Sequence, residues 1–193
     1  MQVRDLPDGH RGQIFGSELY VGEPPSPARA HALAEIAAML VAGSPLGDPA
    51  PKGWSFLSNA EIAAGSERLL VADVAGWTVD EAGKRQTSPP ITTPPAWVCE
   101  VLEPATRSFT LTAKRNTYAE LGVQSLWIAD PDAQVLEIFQ NQRGRWLLLV
   151  ALSDERAVGP APFEGVHFDA NDLWLNDRWS ARGPNPPSPR HRS

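Results

Sequence analysis

The sequence predicts a mixed α/β fold, a central β-sheet flanked by helices, on three observations. A strand, a helix and a strand follow one another at Trp97 to Leu102, Thr110 to Leu121 and Gln124 to Ala129, the series of a crossover that joins parallel strands. Two further apolar runs, Val135 to Phe139 and Trp146 to Leu152, flank the turn segment NQRGR and continue the sheet as a meander. The 193 residues, 42% hydrophobic and 21% charged, suffice for one buried core and are few for two.

The remaining elements follow in order. Gln13 to Val21 reads as one strand. Ser26 and Pro27 are an N-cap and a first-turn proline, and Leu33, Ile36, Ala37, Leu40 and Val41 recur at helical spacing behind them. Trp54 to Leu57 is a short strand and Arg68 to Trp77 a longer one, followed by a polar, proline-rich surface loop from Val79 to Pro95. Gly122 closes the helix of the crossover, and Asp130-Pro131-Asp132 supplies a turn. Val166 to Phe168 adds a short strand before a last helical turn around Leu173 and Trp174. The expected organisation is a single domain over residues 1–179 and a disordered, proline- and arginine-rich tail over 180–193.

Composition narrows the function. A net charge of -6 argues against a generic nucleic-acid binder, because neutralising phosphates takes a field of Lys and Arg. A cleaving enzyme answers this with local positive charge and a divalent cation. Cys99 is the single cysteine, which leaves neither an intrachain disulfide nor a cysteine-based zinc cluster and suits a reducing compartment. The start MQVRDLPDGHRGQ lacks a signal-peptide core, and no apolar run approaches the roughly 20 residues that span a bilayer, so the expected location is cytoplasmic without membrane contact. No phosphate-cradling glycine loop, GxSxG elbow or dinucleotide fingerprint is present.

Three residues break the pattern of their own element. Asp73 shares a strand face with Leu69, Val71, Ala75 and Trp77, and Glu100 shares one with Val98 and Leu102. Lys114 lies on the helical stripe of Leu111, Tyr118 and Leu121. A buried carboxylate costs several kcal/mol unless it is paired, hydrogen-bonded, protonated or bound to metal. Adjacent in space, the three would solve one another's charge problem and form a site. The bland alternatives are a bulge or strand end for Asp73 and a lysine snorkelling from the stripe's edge. His31 lies opposite the apolar face of its helix and shows no metal-ligand spacing with His10, His167 or His191, and Glu18 fits a solvated strand face.

These residues sit in segments that resemble a known family. LLVADVAGW, WVCEVLEPATR, KRNTYAELGVQSLWIADPDAQVLEIF and GRWLLL with FEGVHFDANDLW are similar to the Uma-two family of restriction-endonuclease-like proteins, whose fold is that of the PD-(D/E)XK nucleases, from about Gly12 to Trp174. The resemblance implies a catalytic set of Asp73, Glu100 and Lys114. It also implies a Mg²⁺ or Mn²⁺ held by the two carboxylates and the Val101 carbonyl, and nucleic acid, DNA foremost, as the substrate. His31 and the segment IFGSELYV align with a recurrent N-terminal histidine and strand, which makes His31, Gln13 and Glu18 accessory candidates. The chain departs from the family at Gln13 (usually Glu), Ala72 (Pro), Ala96 (Asp), Glu103 (Ser) and Thr110 (Asp). Two functions stay open: a metal-dependent endonuclease, working as a homodimer by fold-level analogy, and a catalytically weakened or inactive descendant serving as a binding or assembly module.

Overall fold

The Val- and Leu-rich run RLLVADVAGWT forms the longest strand, β4 (Arg68–Thr78), and the rest of the sheet is laid down on its two edges. In the computed structural model, which describes residues 11–15, 18–22, 24–42, 51–78, 89–154, 156–158, 160–163 and 165–175, one edge pairs along its length with β3 (Trp54–Ala63). The other edge is shared. β1 (Arg11–Phe15) pairs with its first residues, and β5 (Trp97–Val101) pairs with residues 74–76. The order then runs on through β6 (Ser125–Asp130), β7 (Val135–Gln142) and β8 (Arg145–Leu152), and β2 (Glu18–Gly22) ends the opposite side beside β1. Among the described strands of this sheet only β5 and β6 pair in parallel, as the crossover requires, and the other strand pairings are antiparallel. The expected α/β class with a central mixed sheet is therefore the observed one, and the sheet is mostly antiparallel.

Alternation along β5 and β6 divides the core between two helices. Trp97, Cys99, Val101, Trp127 and Ala129 pack with Ala32, Ile36, Met39 and Leu40 of α1 (Pro27–Ala42). Val98, Leu126 and Ile128 pack with Phe109 and Tyr118 of α2, the helix over residues 107–120. On the α1 side Phe163 sits among Trp54, Trp97 and Trp127, with ring centroids 5.1, 5.1 and 5.5 Å away in edge-to-face contact. Gly76 leaves room for this cluster, since a Cβ there would stand 2.9 Å from the Phe56 ring. The helix α1 starts as its sequence indicates, with the Ser26 hydroxyl accepting the Arg29 N–H at 3.3 Å.

Several expected boundaries move. Gln13 to Val21 is a hairpin and not one strand, because Phe15 pairs with Glu18 and Arg11 with Gly22. The apolar pattern reads across Gly16-Ser17, which are turn-type residues. The short strand at Trp54 to Leu57 continues to Ala63: Ser58-Asn59 resembles a turn in sequence, yet Asn59 takes φ 53° within the strand and pairing resumes at Ala60 with Ala72. α2 begins at Arg107 instead of Thr110, and its Thr110–Lys114 segment is a π-turn. Ile91, in the segment read as a surface loop, is buried, and its backbone bridges Glu61 and Ala63. Near the C-terminus, β9 (Arg156–Val158), which the sequence pattern does not single out, pairs with β10 (His167–Asp169) ahead of a 3-10 turn at Ala170–Leu173. Residues 79–88 of the expected loop and the 180–193 tail lie outside the described residues. No helix among the described residues is long and apolar enough to cross a membrane.

Phe163→Ala should empty the centre of the aromatic cluster and cost about 3–5 kcal/mol of unfolding free energy, measured by urea denaturation. A loss below about 1 kcal/mol would show that the cluster is not a packed element of the core.

Candidate active site

The backbone creates the site by parting two strands. The β4–β5 ladder runs from Gly76 and Trp97 to Val74 and Cys99, and it stops there. The next positions on the two strands are Asp73 and Glu100. The Asp73 side chain takes over the vacated bond, its Oδ2 accepting the Val101 N–H at 2.8 Å. This is why an acid tolerates an otherwise apolar strand face: a backbone donor that would be orphaned is satisfied by a carboxylate.

Glu100, 2% exposed, turns toward α2. Its Oε2 accepts from Lys114 Nζ at 2.6 Å and its Oε1 from the Tyr118 hydroxyl at 2.7 Å. Lys114 and Tyr118 stand one helical turn apart, so a single helix face engages both oxygens. The lysine is itself buried, 3% exposed, and also donates to the Val71 carbonyl at 2.8 Å. The π-turn ends on Lys114, and such local widenings of a helix are frequent where a side chain must be re-aimed at a functional site.

A second cation closes the other side. Arg29, from the first turn of α1, places Nη2 against Asp73 Oδ1 and donates from Nε to the Val101 carbonyl at 3.1 Å. Its Nε lies 3.8 Å from Glu103 Oε2, which in turn accepts from the Ser26 N–H and hydroxyl at 3.3 Å each. Three carboxylates, Asp73, Glu100 and Glu103, thus share two cations, Arg29 and Lys114.

Burial dominates the protonation of Glu100, Tyr118 and Cys99. It pushes the Glu100 carboxyl up to about 7, overcoming the pull of Lys114, and the Asp73 charge adds to the rise. Burial likewise lifts the Tyr118 hydroxyl well above its ordinary value, with the Glu100 charge reinforcing it, so Tyr118 stays a proton donor. The Cys99 thiol is raised for the same first reason, with smaller contributions from Asp73 and Glu100.

Of the residues singled out in the sequence, Asp73, Glu100, Lys114 and the Val101 backbone come together. Gln13 stands one residue away, its Oε1 accepting the N–H of Val71 at 3.1 Å, on the residue whose carbonyl receives Lys114. Glu18 is apart on the hairpin, where it accepts from the Tyr20 hydroxyl at 2.7 Å. His31 is apart too, with Nε2 3.0 Å from the Asp172 carbonyl at the contact between α1 and the 3-10 turn. Tyr118 and Arg29 were not expected in the site. Both had a signal: Tyr118 shares the stripe of Lys114, and Arg29 precedes Leu33, Ile36 and Leu40 on the core-facing stripe of α1.

The oxygen donors of Asp73, Glu100 and Val101 are chemically suited to a hard divalent cation. In the arrangement seen, each of the four carboxylate oxygens and the Val101 carbonyl accepts a hydrogen bond from the protein. Among the described residues, no three His, Cys, Asp or Glu side chains are grouped to hold a metal.

The model of the Uma2 family, described as "Putative restriction endonuclease", matches residues 2–171. The chain belongs to this family. Among solved structures, it is similar to the crystal structure of "a putative nuclease belonging to DUF820" from Anabaena variabilis, with 17% identity over 84% of this chain and 89% of that one and a TM-score of 0.63. At that identity the likeness is one of fold. No curated protein matches.

The elevated Glu100 acid sets a pH dependence of stability. Between an unfolded value near 4.5 and the folded value of about 7, the folded chain binds more protons than the unfolded one, so this group's stabilising contribution is complete at low pH and is lost as pH rises through 7. Calorimetric melting of wild type and Glu100→Gln from pH 5 to 8 should show the wild type declining relative to the variant. Parallel curves would mean that Lys114 keeps Glu100 at its ordinary carboxylate value.

Proposed function

We propose that this chain is a metal-dependent endonuclease that hydrolyses phosphodiester bonds of nucleic acid, DNA in the first instance, from a single domain over residues 1–179. The observation that carries this is the burial of Lys114 against Glu100, beside Asp73, where β4 and β5 part. A lysine wholly inside the protein is costly even when paired, which marks it as a candidate functional group, and the two carboxylates beside it match the acids that the family resemblance implies.

Asp73, Glu100 and the Val101 carbonyl would hold Mg²⁺ or Mn²⁺, which when bound supplies positive charge for the oxyanion that develops on phosphate. The chain's own groups do the rest. Lys114 Nζ has two donors engaged, on Glu100 and Val71, which leaves one for the attacking water or a phosphate oxygen. Glu100, whose acid burial raises to about 7, would give up its proton as the cation binds and serve the ion as a carboxylate. Tyr118 fixes the rotation of that carboxylate through Oε1. Gln13 acts on this centre through Val71, whose N–H it holds.

A homodimer would present two such centres to two strands. β8 favours a second copy of this chain as partner: it is an edge strand, carries no charge from Trp146 to Leu152, and exposes Leu147, Leu148, Leu149 and Val150. Light scattering should therefore give a dimer that Leu148→Glu converts to monomer; a monomeric wild type would remove the dimer from the proposal.

One observation favours the rival function of a non-enzymatic module, namely that all four carboxylate oxygens are already satisfied by the protein. Incubation of the purified chain with Mg²⁺ or Mn²⁺ and single-stranded, double-stranded and branched DNA decides between them. Cleavage is expected, abolished by Asp73→Asn or Glu100→Gln and slowed about 10²-fold or more by Lys114→Ala. A folded wild type that cleaves none of these substrates would leave the module.

A further inference from the structure

We infer that Arg29 is a resident cation in the position that a divalent ion would take, so that ion binding and the Arg29–Asp73 contact exclude one another. This rests on the metal-dependent function proposed above. The two acceptors that Arg29 holds, Asp73 Oδ1 and the Val101 carbonyl, are the ones required for the metal. A guanidinium offers only donors, and an ion coordinated to the same oxygens at roughly 2.0–2.6 Å would stand inside its hydrogen bonds with like charge. The two cannot share the site.

The surroundings give the displaced arginine somewhere to go. Its side chain is 16% exposed whereas that of Asp73 is 5% exposed, so Arg29 is the more accessible partner of the pair. Glu103 Oε2 is already 3.8 Å from Nε and is not among the metal donors. Glu103 also holds the Ser26 N–H and hydroxyl at the start of α1, so Arg29 can exchange partners while the helix stays anchored. Lys114 has no comparable freedom, being buried between Glu100 and the Val71 carbonyl. Arg29 thereby acts as a positioning residue for the apo site: it keeps Asp73 compensated and lowers the affinity for the ion.

Calorimetric titration of Mn²⁺ into the full chain, comparing wild type, Arg29→Gln, Arg29→Lys and Asp73→Asn, tests this without reference to cleavage. Arg29→Gln should bind Mn²⁺ at least about tenfold tighter than wild type, equivalent to about 1.4 kcal/mol. Arg29→Lys, a point charge that cannot bridge both acceptors, should fall between them. If wild type binds Mn²⁺ in a manner lost in Asp73→Asn while Arg29→Gln binds no tighter, the inference alone is overturned. If neither wild type nor Arg29→Gln binds Mn²⁺, the metal-dependent function falls and the inference falls with it. Should the Arg29 variants not fold, the Nε–H resonance of Arg29 in ¹⁵N-labelled wild type gives the answer: it should move as Mg²⁺ binds, and a resonance unmoved by saturating Mg²⁺ overturns the inference.

Discussion

Two carboxylates placed inside a β-sheet must be compensated, and much of this molecule is arranged around doing so. Asp73 and Glu100 stand where β4 and β5 stop pairing, at 4% and 2% exposure. Left bare, each would cost several kcal/mol, on the scale of a whole domain's stability. Compensation comes from three directions: the Val101 N–H from the parted strand, Lys114 and Tyr118 from α2, and Arg29 from α1. The helices that bury the two apolar faces of the sheet therefore also deliver its counter-charges. Packing and site are positioned by the same contacts.

This compensation is uneven. Glu100 is enclosed by a lysine and a tyrosine at hydrogen-bond distance, yet burial still raises its acid to about 7. Burial is the larger cause of that rise, and the pull of Lys114 only reduces it. Asp73 is closed by a partly exposed arginine that has a second carboxylate within reach. One half of the site is enclosed and the other half is closed by the more exposed cation.

The elements legible in the sequence are those whose signal is local and strong. The crossover of β5, α2 and β6 follows from two apolar strands around a periodic helix, and Asp73, Glu100 and Lys114 stood out because each is a charge at a core-facing position. What escaped depended on neighbours. The β1–β2 hairpin hides because its hydrophobic pattern reads across Gly16-Ser17, and the second half of β3 hides behind Asn59, whose left-handed conformation lies within the pairing with β4. β9 has three residues, too few for any period to show. Arg29 had the same mark as Lys114, a charge on an apolar stripe, but arginine at a helix's first turn is ordinarily solvated. Only the position of α1 over the parted strands brings it to Asp73.

The departures at Gln13 and Glu103 become intelligible in the same terms. Gln13 still serves the centre as an acceptor for the Val71 N–H, a task that asks for an oxygen and not for a charge. Glu103 adds a carboxylate to the start of α1 and to Arg29 together, linking that helix to the chain just beyond β5. Whether these acids serve an ion is decided most directly by anomalous diffraction from crystals soaked in Mn²⁺. The expected map has a peak within roughly 2.5 Å of Asp73 and the Val101 carbonyl, with Glu100 completing the protein donors and Arg29 moved aside. A map without a peak there, with Arg29 still on Asp73 at saturating Mn²⁺, would contradict a metal-dependent centre at these residues.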